Sequence, residues 1–240
     1  MVLQMFIIWV STLPAFFFEY YAYWQGLYVN LGSAFPWARA LFWILFPFDA
    51  LFVFYLTVLA AIAVSRFFLF WVNLFHRPRE GVFTRDPPSK DFKYWGLRNI
   101  VRKWPFFLLA STPFPWLRGR FVLRAFGVKV GKRCSLLDGF VTPEFVELGD
   151  GVVLGQSAVI TSHAFEGDKL IIRKVKVGSN VIVGSRVTIL PGTVVGDGVT
   201  ISGESWTMYH QRLEPRGVYR GKPAKRLGAV PDGGGSGPNR

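Results

Sequence analysis

The sequence predicts a parallel β-helix carried behind an α-helical transmembrane region. Three observations predict it. From Val130 onward, an aliphatic residue recurs at nearly every sixth position. Two long apolar runs, 3–24 and 40–75, come before that region. Phe and Trp crowd the first 120 residues, whereas Gly, Val and Ile dominate from about residue 127. Such a shift in composition assigns the two halves to different solvents.

Written in sextets, the repeat reads VGKRCS, LLDGFV, TPEFVE, LGDGVV, LGQSAV and ITSHAF from Val130 to Phe165. Five extra residues follow, 166–170, and the repeat resumes as IIRKVK, VGSNVI, VGSRVT, ILPGTV, VGDGVT and ISGESW. Every leading position except Thr142 is Val, Leu or Ile. A period of six is neither the 2 of a simple strand nor the 3.6 of a helix. Each sextet therefore supplies one short strand and one corner, with the leading aliphatic inside. Gly in second position and Asp-Gly pairs serve the tight turns. Three sextets per coil give a triangular prism whose inner column is aliphatic and supplies the main hydrophobic stabilisation.

Residues 3–24 are apolar except for Gln4 and Glu19, long enough for one span. No basic residue precedes them and no small-x-small site follows, so they read as an anchor rather than a cleaved signal. The second run has 36 residues, ~54 Å as one helix against a ~30 Å hydrocarbon core. Pro47 is expected to divide it into an interfacial piece at 37–48 and a span at about 49–75. Asp49 is expected to cap the helix after Pro47, and Arg66 to snorkel or face a neighbouring helix. Residues 104–124 mix Trp, Phe, Pro and Arg, the composition of a headgroup-zone collar. The expected organisation is thus 1–76 transmembrane anchor of two spans, 77–126 basic aromatic linker, 127–227 β-helix and 228–240 flexible tail.

The formal net charge is +13, and fourteen Lys or Arg stand between Arg77 and Arg133 against the acids Glu80, Asp86 and Asp91. A basic segment after an apolar span marks the cytoplasmic side and suits anionic headgroups of membrane lipids. No helix-turn-helix, zinc-finger or RNA-recognition signature accompanies it, so a nucleic-acid partner is not expected. The single cysteine, Cys134, rules out an intrachain disulfide.

The sextets, and the segment Gly221-Lys222-Pro223-Ala224-Lys225 after the last of them, resemble the hexapeptide-repeat acyltransferases. That resemblance implies the left hand of the β-helix, a homotrimer, and acyl-CoA, acetyl-CoA in the simplest case, as donor. It also places the closure segment beside the acyl-CoA groove, making Gly221, Lys222, Ala224 and Lys225 the candidate donor-binding residues. Lys and Arg suit the phosphates of coenzyme A. Trp206 is expected to cap the open end of the prism.

The histidines are His76, His163 and His210. His76 follows the second apolar run and reads as an interface residue. His163 takes the fourth place of its sextet, just before the one break in register. In the family a histidine so placed is the general base, and imidazole titrates in the right range to take a proton from an acceptor hydroxyl or amine. With a coil of eighteen residues and a five-residue insertion, Arg186 is expected one coil beyond His163. There it would bind an anionic group of the substrate and disfavour imidazolium. One coil earlier the matching position is Phe145, flanked by Glu144 and Glu147. Glu144 is carried with Arg186 as a substrate-binding candidate. Glu144, Glu147, Glu166 and Asp168 all remain open as the carboxylate that orients the ring. The same fold hosts γ-class carbonic anhydrases, but one histidine in the repeat region cannot build a three-histidine zinc site, so no metal is expected.

The sequence thus points to a membrane-bound acyltransferase. Its anchor implies a lipid-linked acceptor, the β-helix lying on the cytoplasmic side. The alternative is a non-catalytic trimeric scaffold that recruits a partner to the membrane. A scaffold has no need of His163.

Overall fold

The computed structural model describes residues 2–86, 89–110, 121–136 and 139–229. The chain forms two compact units, 1–77 with 94–111 and 78–93 with 112–240.

The first unit is helical. Val2–Phe17 is an α-helix that continues as a π-helix over Phe18–Leu31 and a last turn at Gly32–Ala34. Phe35 is extended (φ −137°, ψ 108°), and Pro36 opens the next helix at its first turn, where a missing N–H costs nothing. That helix runs unbroken over Pro36–Phe75, 40 residues or ~60 Å. The expected division at Pro47 does not occur. Proline forfeits one ladder bond and crowds the turn before it, but a strongly apolar helix continues through. Asp49 is consequently not a cap. It is buried in mid-helix. Arg66 is exposed.

Both helical stretches are long and apolar enough to cross a membrane. Large rings stand exposed along them, among them Trp9, Phe16, Trp43, Phe48 and Phe70, as an apolar solvent permits. The stretch expected as a linker contains a third helix, Lys90–Ala110. Its Trp104 Nε1 donates to Ser11 Oγ (3.1 Å), and Ser65 Oγ donates to the Val101 carbonyl (3.0 Å). Residues 104–110 of the expected collar are therefore helical and packed, with Leu108 and Leu109 buried. Pro113 to Arg120 lie outside the described residues, as does the tail after Ala229.

The second unit is a three-faced parallel β-helix. One face stacks Lys129–Val130, Val146–Leu148, Val175–Val177, Val194–Val195 and Arg212–Leu213. Another stacks Val153–Leu154, Ile182–Val183, Thr200–Ile201 and Gly217–Gly221, closed by the antiparallel Ala224–Ala229. The remaining face stacks Phe140–Val141, Val159–Ile160 and Thr188–Ile189. The leading aliphatics form the core: Leu154, Ile160, Ile189 and Ile201 are fully buried. Burying such a side chain contributes about 1.5–3 kcal/mol. Gly149 allows the coils to stack, since a Cβ there would lie 2.6 Å from the Gly178 carbonyl carbon of the next coil.

Two departures from the six-residue count matter. Ile160 pairs with Val141, nineteen residues back, so Val141 and not Thr142 holds the leading place. That explains why Thr142 alone broke the aliphatic series. Its hydroxyl instead donates to the Ile160 carbonyl (2.9 Å) and accepts the Ser162 N–H (2.9 Å). The second departure is the insertion. Ile160 pairs forward with Ile189, twenty-nine residues on, so the excursion adds eleven residues rather than five. It is a β-hairpin, His163–Glu166 against Lys169–Ile172.

Candidate active site

His163 opens the first strand of that hairpin, opposite Ile172, and is therefore not a corner residue of the wall. Its backbone is held by Thr161: the His163 N–H donates to Thr161 Oγ1 (3.3 Å), and that hydroxyl donates to the His163 carbonyl (2.7 Å). The ring is half-buried and meets Phe165 edge-on, centroids 6.3 Å apart. Burial pushes the imidazole below its ordinary pKa, and the charge of Glu144 opposes part of that shift. The result is a ring that is neutral near neutral pH, with a carboxylate acting on it.

Glu144 is brought to this place by the coil below. Ser162, 2% exposed, donates from Oγ to the Glu144 carbonyl (2.6 Å). Of the four candidate carboxylates, Glu144 is the one that acts electrostatically on the ring. Glu147 is engaged elsewhere, with Lys129 Nζ at 2.8 Å and Lys174 Nζ at 2.7 Å. Those two hydrogen bonds hold its pKa at about 2. Glu166 hydrogen-bonds Tyr209, whose phenol is pushed up by burial first and by that carboxylate second. The Asp168 carbonyl accepts the Arg85 N–H (2.7 Å) at the hairpin turn.

Arg186 is not stacked on His163. The excursion is longer than the count allowed, so Arg186 follows Ser157 in the stack: its N–H donates to the Gln156 carbonyl, and both residues have positive φ, 58° and 55°. Its guanidinium pairs instead with Glu204 on the next coil, both side chains exposed. The geometric reason for making it a substrate ligand therefore does not hold. His76 ends its helix and stacks on Tyr94, centroids 4.7 Å apart. His210 lies exposed over Gly192.

Gly221 and Ala224 face each other across the closing hairpin. The Gly221 N–H donates to Ser205 Oγ (3.0 Å), and Gln211 Nε2 donates to the Ala224 carbonyl (2.7 Å). Ala224 is buried, whereas Arg220, Lys222, Lys225 and Arg226 are exposed, a concentrated positive surface. Trp206 does not plug the prism. It pairs with Thr188 as a continuation of the wall; the residue is 45% exposed, and Lys222 Nζ lies 5.5 Å from the centre of its ring. Among the described residues, no group of three His, Cys, Asp or Glu side chains converges as a metal site would need.

No protein-family model matches the chain. It is 29% identical over 150 residues to YvoF of Bacillus subtilis, a provisionally named acetyltransferase, covering 61% of this chain and 81% of that one. It is 34% identical over 109 residues to a protein of Lysinibacillus sphaericus, provisionally named a macrolide acetyltransferase, covering 45% of this chain and 56% of that one. Among solved structures, galactoside acetyltransferase in complex with coenzyme A covers 64% of this chain and 88% of its own, at 16% identity and a TM-score of 0.48. A hexapeptide-repeat acetyltransferase of Vibrio cholerae in complex with acetyl-CoA covers 61% and 93%, at 16% identity and a TM-score of 0.47. With a six-residue repeat folded into a three-faced parallel prism and relatives named as acetyltransferases, the chain is similar to the hexapeptide-repeat acyltransferases.

Proposed function

We propose that the chain is a membrane-anchored acyltransferase that moves an acetyl group from acetyl-CoA to a hydroxyl or amine, with His163 as general base. One observation carries the reading: the histidine that opens the hairpin interrupting the repeat is half-buried against Phe165, with the carboxylate of Glu144 acting on it. In this reading the neutral imidazole takes the proton as the acceptor oxygen or nitrogen attacks the thioester carbonyl. The tetrahedral intermediate collapses, the C–S bond breaks, and the imidazolium returns the proton to the departing thiolate of coenzyme A. Glu144 steadies the imidazolium, and a second role toward the substrate is open to it in this reading.

The closing hairpin suits the donor. Lys222, Lys225, Arg220 and Arg226 offer cations to the phosphates. Gly221, at φ +108°, keeps that turn free of a side chain. Two helices long and apolar enough to cross a membrane support the anchor, and the basic segment 77–133 supports a β-helix on the cytoplasmic side. An anchored enzyme is suited to an acceptor that is itself lipid-linked. The wall exposes Val153 and Ile182, paired one coil apart at 39% and 50% exposure, an apolar stripe suited to a neighbouring prism in a homotrimer.

The test is coenzyme A release from acetyl-CoA by the detergent-purified chain with membrane lipid extract as acceptor source. His163→Ala is expected to lower turnover by ~10²–10⁴-fold, the contribution of a positioned general base. Turnover that survives the substitution sinks His163 as the base. No turnover and no acyl-CoA binding turns the reading to the scaffold.

A further inference from the structure

Residues 77–126 read in sequence as a linker, yet the part just after the second apolar helix is built into the hairpin of His163. Gly81–Thr84 pairs antiparallel with Lys169–Ile172, in the register Gly81 to Ile172 through Thr84 to Lys169. Lys169–Ile172 pairs in turn with His163–Glu166. His163, Ile172 and Gly81 therefore stand abreast across a three-stranded sheet. A two-stranded hairpin is marginal alone in water, whereas a third strand makes such a sheet persist.

Both ends of this added strand are fastened. At the base, Glu80 Oε2 accepts the N–H of Lys174 (2.8 Å), where the hairpin rejoins the wall. At the tip, the Arg85 N–H donates to the Asp168 carbonyl (2.7 Å). The Arg85 guanidinium lies 5.1 Å from the centre of the Phe165 ring, the ring that meets His163 edge-on. The segment is itself braced, since Arg79 binds Asp91 through two hydrogen bonds of 2.7 Å.

We propose that residues 79–86 form a strap that positions the catalytic hairpin, with Glu80 and Arg85 as positioning residues for His163. The proposal rests on His163 being the base. Its physical point is precision: a displacement of about 1 Å in a catalytic group can cost ~10²-fold in rate. The strap begins four residues after Phe75, the end of the second apolar helix. The connection to the anchor is thus part of the support of the site and not a spacer.

The experiment uses the full chain in detergent, with Glu80→Ala, Glu80→Gln, Arg85→Ala and the Glu80→Ala/Arg85→Ala pair. Two quantities are read: amide hydrogen exchange over 163–172, and kcat and KM for acetyl-CoA with membrane lipid extract. The paired variant is expected to exchange its hairpin amides at least about tenfold faster. Its kcat should fall by about tenfold or more with KM for acetyl-CoA nearly unchanged. Glu80→Gln, which keeps an acceptor oxygen for the Lys174 N–H, should stay near wild type. Should the paired variant not purify, the single alanine variants are read the same way. Unchanged hairpin exchange in the alanine variants overturns the strap, and so does a Gln variant as impaired as the Ala one. His163→Ala separates the two ideas. It should lower kcat with hairpin protection intact. If it leaves kcat unchanged, the base assignment fails while the exchange data still judge the strap.

Discussion

Ile160 pairs with Ile189, twenty-nine residues further along the chain, and this spacing decides which residues surround His163. Had the insertion been five residues long, Arg186 would have stood over the imidazole. With eleven, the histidine is lifted off the wall onto a hairpin, Arg186 is left to Glu204, and the neighbours of the ring become Glu144 and Phe165.

The first prediction concerns pH. Burial lowers the His163 pKa and Glu144 raises it in part. The base must be neutral, so activity falls as pH drops through that depressed value, and the acid limb lies below about 6.5. Glu144→Gln removes the group that favours imidazolium, so the limb should move to still lower pH. Profiles of kcat/KM against pH for both proteins check this. A limb that moves upward would show that the carboxylate does not act on the ring as argued.

Glu147 gives a stability prediction of known sign. Lys129 and Lys174 hold its pKa at about 2 against an ordinary 4.5. A carboxylate lowered in this way stabilises the fold fully above about pH 4.5 and loses that contribution as pH falls toward about 2. Its side chain is a quarter exposed, so solvent screening limits the gain. Glu147→Gln should cost about 1 kcal/mol at pH 7 in urea unfolding, and the difference should fade between pH 4.5 and 2. A gap independent of pH would contradict the assignment.

Close stacking at Gly149 is a third point of test. A methyl group there meets the Gly178 backbone at 2.6 Å, and backbone cannot rotate away as a side chain can. Gly149→Ala should therefore destabilise the prism by about 1–3 kcal/mol. Thermal unfolding followed by circular dichroism reads it directly.

Core and wall should respond very differently. Ile189 is fully buried, and Ile189→Ala should cost about 2–5 kcal/mol. The Arg186–Glu204 pair is exposed on both sides, and Arg186→Ala should cost under about 1 kcal/mol, with KM for acetyl-CoA nearly unchanged. A large rise in KM in Arg186→Ala would return that residue to the substrate site.

Much of the molecule was legible before any coordinates. Leu148, Leu154, Ile160, Val177, Val183, Ile189, Val195 and Ile201 were assigned to the core from a six-residue period, and all are buried. The period is readable because each coil repeats the same inward position against the same apolar neighbours. The apolar runs were readable for a similar reason, since membrane and core both select by side-chain chemistry residue by residue. The choice of His163 as candidate base came from its place beside the one break in the register together with the resemblance to the hexapeptide-repeat acyltransferases.

Only the tertiary structure decided the rest. The loss of one residue before Val141 and the length of the hairpin are matters of backbone hydrogen bonding, and sextet counting treats ITSHAF and IIRKVK as wall when half of each is excursion. The unbroken helix through Pro47 shows that one lost ladder bond does not end a strongly apolar helix, which a proline in the sequence does not reveal. Glu144 was one of four equivalent acids in sequence. Two of the others meet partners far along the chain, Lys129 and Lys174 for Glu147 and Tyr209 for Glu166. Repetition and polarity are local properties that a sequence carries openly. Which charge meets which ring depends on contacts between distant residues, and these exist only once the chain has folded.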